Sequence, residues 1–378
     1  MRNGKLIQLE AGRGIAALVV VVGHFLYGLD PQGTLLGFIP MPAGFYLLNG
    51  KGAVTFFFVL SGFVLTFRLF NNPDWAEIAN ASIKRYFRLT PAIAVSVLLS
   101  WLLFHFDLYH YRPVGALTRH WTATNGGVYE GLAAPTFGTA AYDAFFGVYR
   151  GWSLFNSALW TMRIELLGSY LSFALAGILI YGARARWLVV AGVAALCAVY
   201  APAYCAFVAG TALAYRVSRS GAPRLGPWTT LALLVLGFWV HCYEPPEGPG
   251  RFVPLPAEHA TYFLHTLSAL CFMLVLLGNA TAARRLGGRV GYFLGRISFP
   301  AYLVHLPIVF SLSCWLYLAK VPLLLNLAGT VALVLVVSWY ASSLDNAWVR
   351  IVNRVSRRFG LPALLKSRSA ARGAEAAS

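Results

Sequence analysis

Ten apolar stretches, most of them close to the length that crosses a bilayer and the fifth and sixth shorter, constrain this chain more than any other feature. A spanning helix needs about 20 mostly apolar residues, and its backbone N–H and C=O groups must be paired within the segment. Only 11% of the 378 residues are charged, against about 25% in soluble domains. These stretches predict an all-α, polytopic membrane helical bundle. They cover about 9–28, 52–70, 90–106, 153–181, 187–201, 203–216, 228–243, 260–278, 297–318 and 322–341.

The distribution of charge predicts the topology of the bundle. A formal net charge of +17 would suggest nucleic acid in a soluble protein, but here the basic residues fall in alternate loops. This positive-inside pattern predicts cytoplasmic termini, a multi-pass protein of the inner membrane and no nucleic-acid partner. We expect one transmembrane domain over 1–350. The remaining 351–378 form a basic cytoplasmic tail, disordered at its end or lying on anionic membrane lipid.

The first apolar stretch carries three ionisable residues on one helical face. Arg13 and His24 are 11 residues apart, which is almost a whole number of turns and roughly 16 Å of helix. Glu10 lies one turn before Arg13. Charged groups on a membrane helix are costly, so this face should contact a protein interior or a watery cavity. A structural Glu10–Arg13 pair is the simpler alternative for Glu10.

Two further groups of charged residues are candidates for a site. Glu165 lies in the middle of an apolar stretch, where a carboxylate needs a partner; Arg13, His24 and Arg163 are the candidates. Arg85 and Arg88 lie one turn apart on the cytoplasmic side, a spacing at which two guanidinium groups can grip a phosphate. Ordinary positive-inside anchoring is the alternative for that pair.

The ninth stretch places Ser298, Tyr302 and His305 on one helical face. We expect His305 in the cytoplasmic half, at a depth similar to that of Arg13. A packing role is an equal alternative for His305, and packing alone is expected for Ser61 and Gly62 in the second stretch. No motif typical of a metal site, a serine hydrolase or a nucleotide-binding loop occurs in the sequence.

The connection between 107 and 151 is long and aromatic. It contains Trp121, Tyr129, Tyr142, Phe145 and Tyr149. A connection of this length tends to be functional or disordered. We place it outside the membrane, either as a sugar-contacting surface or as a belt resting on the headgroups.

Several motifs in this order resemble those of the acyltransferase-3 family of integral membrane acyltransferases. The resemblance runs from about Gln8 to the tenth stretch. Its segments are Leu9-Glu10-Ala11-Gly12-Arg13-Gly14 with His24, Phe57-Phe58-Val59-Leu60-Ser61-Gly62-Phe63, Arg85-x-x-Arg88 with Leu89-Thr90-Pro91, Leu159-Trp160 with Glu165, and Gly295-Arg296-Ile297-Ser298 through His305.

The resemblance implies transfer of an acyl group, in particular acetyl, from cytoplasmic acetyl-CoA to a hydroxyl of a glycan, exopolysaccharide or lipid-linked sugar. Acetyl-CoA would be a substrate, with no bound cofactor and no metal. His24 fits a general base and Arg13 an oxyanion stabiliser, with Glu165 as the third catalytic candidate. The alternative is a transporter or flippase in which Arg13, His24 and Glu165 relay protons or substrate.

The remaining site predictions divide between the two substrates. The donor-side residues are Arg85, Arg88, Arg13 and His305. The acceptor-side residues are His24, Trp160, Tyr302, Glu10 and Ser298.

Overall fold

The computed structural model describes residues 6–30, 35, 46–118, 135–151, 153–182, 184–243 and 255–359. This part of the chain is helical and contains no strand, as the sequence predicts. Its helices are α1 (Ile7–Leu29), α2 (Gly50–Asn71), α3 (Trp75–His105), α4 (Tyr111–Thr118), α5 (Phe137–Tyr142), α6 (Trp160–Tyr181), α7 (Arg186–Tyr200), α8 (Tyr204–Ser220), α9 (Pro227–Cys242), α10 (Ala257–Gly278), α11 (Ala280–Leu286), α12 (Arg289–Ile308) and α13 (Leu323–Phe359).

Seven helical segments are long and apolar enough to cross a membrane in the described residues, where the sequence predicts ten. They are α1, α2, α3, α6, α10, α13, and α12 together with the two helical pieces that continue it, Val309–Ser313 and Cys314–Leu318. The other three predicted spans are also helices, but α7, α8 and α9 have 15, 17 and 16 residues. The protein is therefore an all-helical multi-pass membrane protein with at least seven span-length segments.

Helices α1 and α12 run side by side in the same direction and are held together at glycines. A Cβ at Gly14 would meet the backbone of Leu294, and one at Gly295 would meet Glu10. Because glycine has no side chain, the two backbones approach closely at these positions, as is usual for helix packing in membranes. Because the helices are parallel, residues at equal distances from Ile7 and Arg289 lie at similar depth.

A second close crossing joins α2 to α8. A Cβ at Gly62 would collide with the carbonyl oxygen of Phe207, and one at Gly210 with that of Val59. Gly62 therefore packs as the sequence predicts. The crossing anchors α8 beside α2 although α8 is shorter than a full span.

Prolines inside the helices free carbonyl groups that other helices then use. Proline lacks the N–H that would bond the carbonyl four residues earlier. Pro91 of α3 frees the Phe87 carbonyl, which accepts a bond from Trp348 Nε1 at 2.7 Å. Pro307 of α12 frees the Leu303 carbonyl, which accepts bonds of 2.7 Å from Ser96 Oγ and Asn156 Nδ2. Each proline thus creates a tie between helices.

The 137–150 segment differs from its prediction as an outer connection. It comprises α5, a π-helical turn (Asp143–Gly147) and a last turn (Val148–Arg150). It packs along α3 from Trp101, whose ring contacts Phe137, to Tyr86, whose hydroxyl donates to the Phe145 carbonyl at 2.8 Å. The segment therefore runs back along about 15 residues of α3 and does not lie at the end of the bundle.

Two predictions fall partly outside the described residues. Trp121 and Tyr129 lie in 119–134, and most of the tail lies in 360–378. The part of the tail that is described continues α13 as far as Phe359.

Candidate functional site

A cavity of about 270 Å³ is lined by arginine and acidic side chains. We call it the arginine cavity. It collects residues from α1, α2, α3, α6, α12 and α13, which explains why no single sequence motif outlines it. Its charged lining residues are Glu10, Arg13, Arg85, Arg88, Glu165, Arg296 and Asp345.

Arg13 is fixed in the arginine cavity by three contacts. Its Nη2 pairs with Glu10 at 2.8 Å and donates to the Gly295 carbonyl at 2.9 Å, while Nε donates to Ser298 Oγ at 2.7 Å. The predicted Glu10–Arg13 pair is therefore confirmed. Arginine has five N–H donors, so those of Nη1 still suit an anionic ligand. Ser298 contacts Arg13 but does not itself line the arginine cavity.

Glu165 pairs with Arg85, and its predicted pairing with Arg13, His24 or Arg163 is wrong. Oε1 contacts Arg85 Nη2 and also accepts from Ser61 Oγ at 2.7 Å. Both ionic side chains are nearly buried, with 10% and 11% of their surfaces exposed. The partner was missed because α2, α3 and α6 meet here by tertiary packing. Ser61 is thus part of the site rather than a packing residue alone.

Arg88 and Arg296 form no ion pair with any described carboxylate. Arg88 is exposed and lines the cavity beside Arg85. Arg296 is fixed from the side of α13, where it donates to Ser342 and Ser343 and stacks over Trp339 at 4.2 Å. Arg296 was missed as a site residue, although it sits beside Gly295 in the ninth-stretch motif. These two guanidinium groups are therefore not held in a contact ion pair by any described carboxylate, although Asp345 and Glu10 act on Arg88 at longer range.

A second cavity, of about 410 Å³, contains His24. We call it the histidine cavity. Tyr27, Tyr46 and Trp160 line it with exposed aromatic surface. Trp160 therefore lies with His24 as predicted, whereas Glu10 lies in the arginine cavity and so away from His24.

The hydrogen bond of His24 fixes which ring nitrogen can act as a base. Nδ1 lies 2.9 Å from the Val20 carbonyl. A carbonyl can only accept a hydrogen bond, so in the neutral ring Nδ1 carries the hydrogen and Nε2 keeps the lone pair. The backbone of α1 itself thus sets the tautomer that a general base requires.

His305 lies against His24, and its predicted depth near Arg13 is wrong. The two ring centres are 5.0 Å apart. α12 begins at Arg289 rather than near 297, so His305 follows its helix start by almost the same length as His24 follows Ile7. His305 Nδ1 faces the Tyr302 carbonyl at 2.6 Å, and its Nε2 is buried without a hydrogen-bond partner among the described residues.

The two cavities meet at Tyr302 and Val54, which line both. The Tyr302 hydroxyl donates to the Ala158 carbonyl at 2.9 Å and lies 2.9 Å from Thr161 Oγ1. Its ring packs edge-on against Phe57, with centres 6.0 Å apart. Tyr302 is therefore a fixed partition between a cationic compartment and the compartment that holds His24.

A sequence profile for an acyltransferase domain matches residues 6–343. The chain belongs to the acyltransferase-3 family. The histidine cavity and all the predicted site residues lie within the matched region, and the arginine cavity extends beyond it only at Asp345, Asn346 and Val349. No curated protein and no solved structure matches the chain significantly.

Membership of the acyltransferase-3 family makes the protein an acyltransferase. This favours the enzyme over the transporter or flippase that the sequence left as an alternative. The geometry agrees with that choice, because Glu165 is paired with Arg85 in the arginine cavity and does not join His24 in a relay.

Proposed function

We propose that the protein transfers an acyl group, in particular acetyl, from acyl-CoA to a hydroxyl of a glycan or lipid-linked sugar at the inner membrane. The observation that carries this proposal is the contact of two unlike cavities at Tyr302. One offers arginines, which suit the phosphates of a CoA donor. The other offers His24 and aromatic surfaces, which suit a sugar acceptor.

The donor binds in the arginine cavity with its phosphates on Arg88 and Arg296. Arg85 is less suited to direct phosphate binding because Glu165 already neutralises it. Its part is to hold α3 against α6, which places Arg88 at the cavity wall. Arg13, fixed by Glu10 and Ser298, has Nη1 to offer to the donor as well. Because roughly 16 Å of helix separates Arg13 from His24, Arg13 binds the donor away from the reacting carbon and does not take the oxyanion role that the sequence predicts.

His24 acts on the acceptor from the other side of the partition. Its Nε2 takes the proton of the sugar hydroxyl while the hydroxyl oxygen bonds to the thioester carbon. The carbon–sulfur bond breaks, the acyl ester forms, and the CoA thiolate leaves. The proton on His24 passes to the thiolate or to water, which restores the neutral ring.

His305 assists the step as a neighbour of His24. A protonated His24 would be a buried cation next to the partition, and such a charge is costly unless it is paired or hydrogen-bonded. The Nε2 lone pair of His305 is buried beside it and can stabilise the cation by accepting a hydrogen bond from it. This is a different role from the donor contact that the sequence predicts for His305.

The test uses purified protein in liposomes with radiolabelled acetyl-CoA and a panel of glycan acceptors. We expect a labelled O-acyl product with the unmodified protein and none with His24→Ala, which should still fold. His241→Ala is the matched control, because His241 is a buried histidine that lines neither cavity. Transfer retained by His24→Ala, or lost equally in both variants, would overturn the assignment of His24.

A further inference from the structure

The described lining of the histidine cavity contains hydrogen-bond donors and the cation of Lys51. Lys51 lines it, and no described lining residue is an aspartate or glutamate. Tyr27, Tyr46 and Trp160 add hydroxyl and indole groups. A site for neutral sugar hydroxyls needs acceptors as well as donors, since each hydroxyl both donates and accepts. Carboxylates are the strong acceptors, and here they are missing from the described lining.

The N-terminus of α2 also points its charge at this cavity. Gly50, the first residue of the helix, and Lys51 both line the cavity. The 22-residue helix presents the positive end of its dipole there. A bound anion at such a helix end is stabilised both by the dipole and by the lysine.

Asn49 gives an independent indication of a ligand. Only 4% of the residue is exposed, and its Oδ1 accepts from the Gly52 N–H at 3.0 Å, which fixes the orientation of the amide. Its Nδ2 is buried without a hydrogen-bond partner among the described residues. An unsatisfied buried donor is costly, and Asn49 borders the cavity. An anionic ligand oxygen there would offset that cost.

We infer, resting on the proposed function, that the acceptor sugar carries an anionic group, either a carboxylate or a phosphodiester. Lys51, the Asn49 amide and the start of α2 bind this group. The sugar face then stacks on the aromatic wall, which brings a neighbouring hydroxyl to His24. The aromatic surface alone would hold neutral and acidic sugars alike, so the preference for the anion comes from these three groups.

The experiment compares three acceptors that share one octyl chain: octyl glucoside, octyl glucuronide and glucosyl octyl phosphate. Each is supplied with labelled acetyl-CoA to the full chain in liposomes. We expect the efficiency of transfer, as kcat/KM, to be at least about tenfold higher for one or both anionic acceptors. Preference for the glucuronide would identify a carboxylate, and preference for the phosphodiester a phosphate. Equal or higher efficiency with octyl glucoside would overturn the inference.

A charge variant separates this preference from general effects. Lys51→Gln should lower the anionic-to-neutral ratio of kcat/KM about fivefold or more, and Lys51→Arg should keep it. Arg112→Gln, which removes an exposed charge from α4, is the matched control. An unchanged ratio in Lys51→Gln would contradict the inference. Absence of transfer to all three acceptors, in protein that retains its folded mass and helicity, would instead contradict the proposed function.

Discussion

His24 and His305 face one another with ring centres 5.0 Å apart. Both rings donate through Nδ1 to a backbone carbonyl of their own helix, Val20 for His24 and Tyr302 for His305. Two parallel helices thus present two imidazoles in the same tautomer, each with its hydrogen on Nδ1.

His305→Leu should lower kcat while leaving the KM values of both substrates nearly unchanged. The variant removes the lone pair that shares the proton of His24, and His305 itself lines neither cavity. General acid–base contributions are about 10²–10⁴-fold, so we expect a supporting group to account for roughly tenfold of kcat. Steady-state kinetics measure it, with Ser311→Ala in the π-helical turn (Val309–Ser313) that follows α12 as the control. A kcat within twofold of the unmodified protein would return His305 to a packing role.

Arg88→Gln should raise the apparent KM for acetyl-CoA about tenfold or more, because it removes a cavity-lining cation that makes no contact ion pair with a described carboxylate. The KM for the acceptor should stay the same. Arg354→Gln on the exposed part of α13 is the matched control for lost positive charge. An unchanged KM for acetyl-CoA in Arg88→Gln would mean that this arginine serves only to anchor the cytoplasmic side of the protein.

Tyr302→Ala should uncouple the reaction. Removal of the partition opens the arginine cavity to the water of the histidine cavity, so thioester hydrolysis without acceptor should increase while transfer falls. Tyr302→Phe keeps the ring against Phe57 and loses only the bonds to Ala158 and Thr161, so it should remain largely coupled. Release of free CoA without acceptor measures the effect. Equal hydrolysis in Tyr302→Ala and the unmodified protein would show that the ring does not separate the cavities.

Stability should decline with rising pH because of Asp143. Burial raises the pKa of this carboxyl to about 7, although the backbone amides of Phe155 and Leu154 oppose the shift. The unfolded chain loses the proton near pH 4 and the folded protein near pH 7. The stabilising contribution is therefore full below about pH 4 and is lost as pH rises to about 7.

Thermal unfolding in detergent between pH 4 and 8 tests the role of Asp143. Asp143→Asn should flatten the decline of Tm, and the exposed Asp107→Asn should not. A slope in Asp143→Asn equal to that of the unmodified protein would assign the pH dependence to other groups.

The sequence predicted local features well. Apolar length predicted helices at all ten apolar stretches, and helical spacing predicted the Glu10–Arg13 pair, because both signals are written within one element. The shared face of Ser298, Tyr302 and His305 was likewise readable from their spacing.

The sequence did not predict how elements register with one another. The Glu165–Arg85 pair depends on how α6 lies against α3, and no spacing within either helix encodes that. His305 was placed at the wrong depth because the polar start of α12, from Arg289, looked like a loop. The 137–150 segment was missed for a similar reason, since it is short and its helical pieces carry weak apolar patterns.

We propose that donor and acceptor bind on opposite sides of the Tyr302 partition. α13 lines the arginine cavity with Asp345 and then continues to Phe359, so protease access to a C-terminal tag reports which way the cavity faces in a liposome. Vesicles of known orientation then receive labelled acetyl-CoA on one side and a membrane-impermeant acceptor glycan on the other. We predict labelled product only when acetyl-CoA is on the side of the tag and the acceptor is on the opposite side. Product formed only when both substrates share one side would contradict the account.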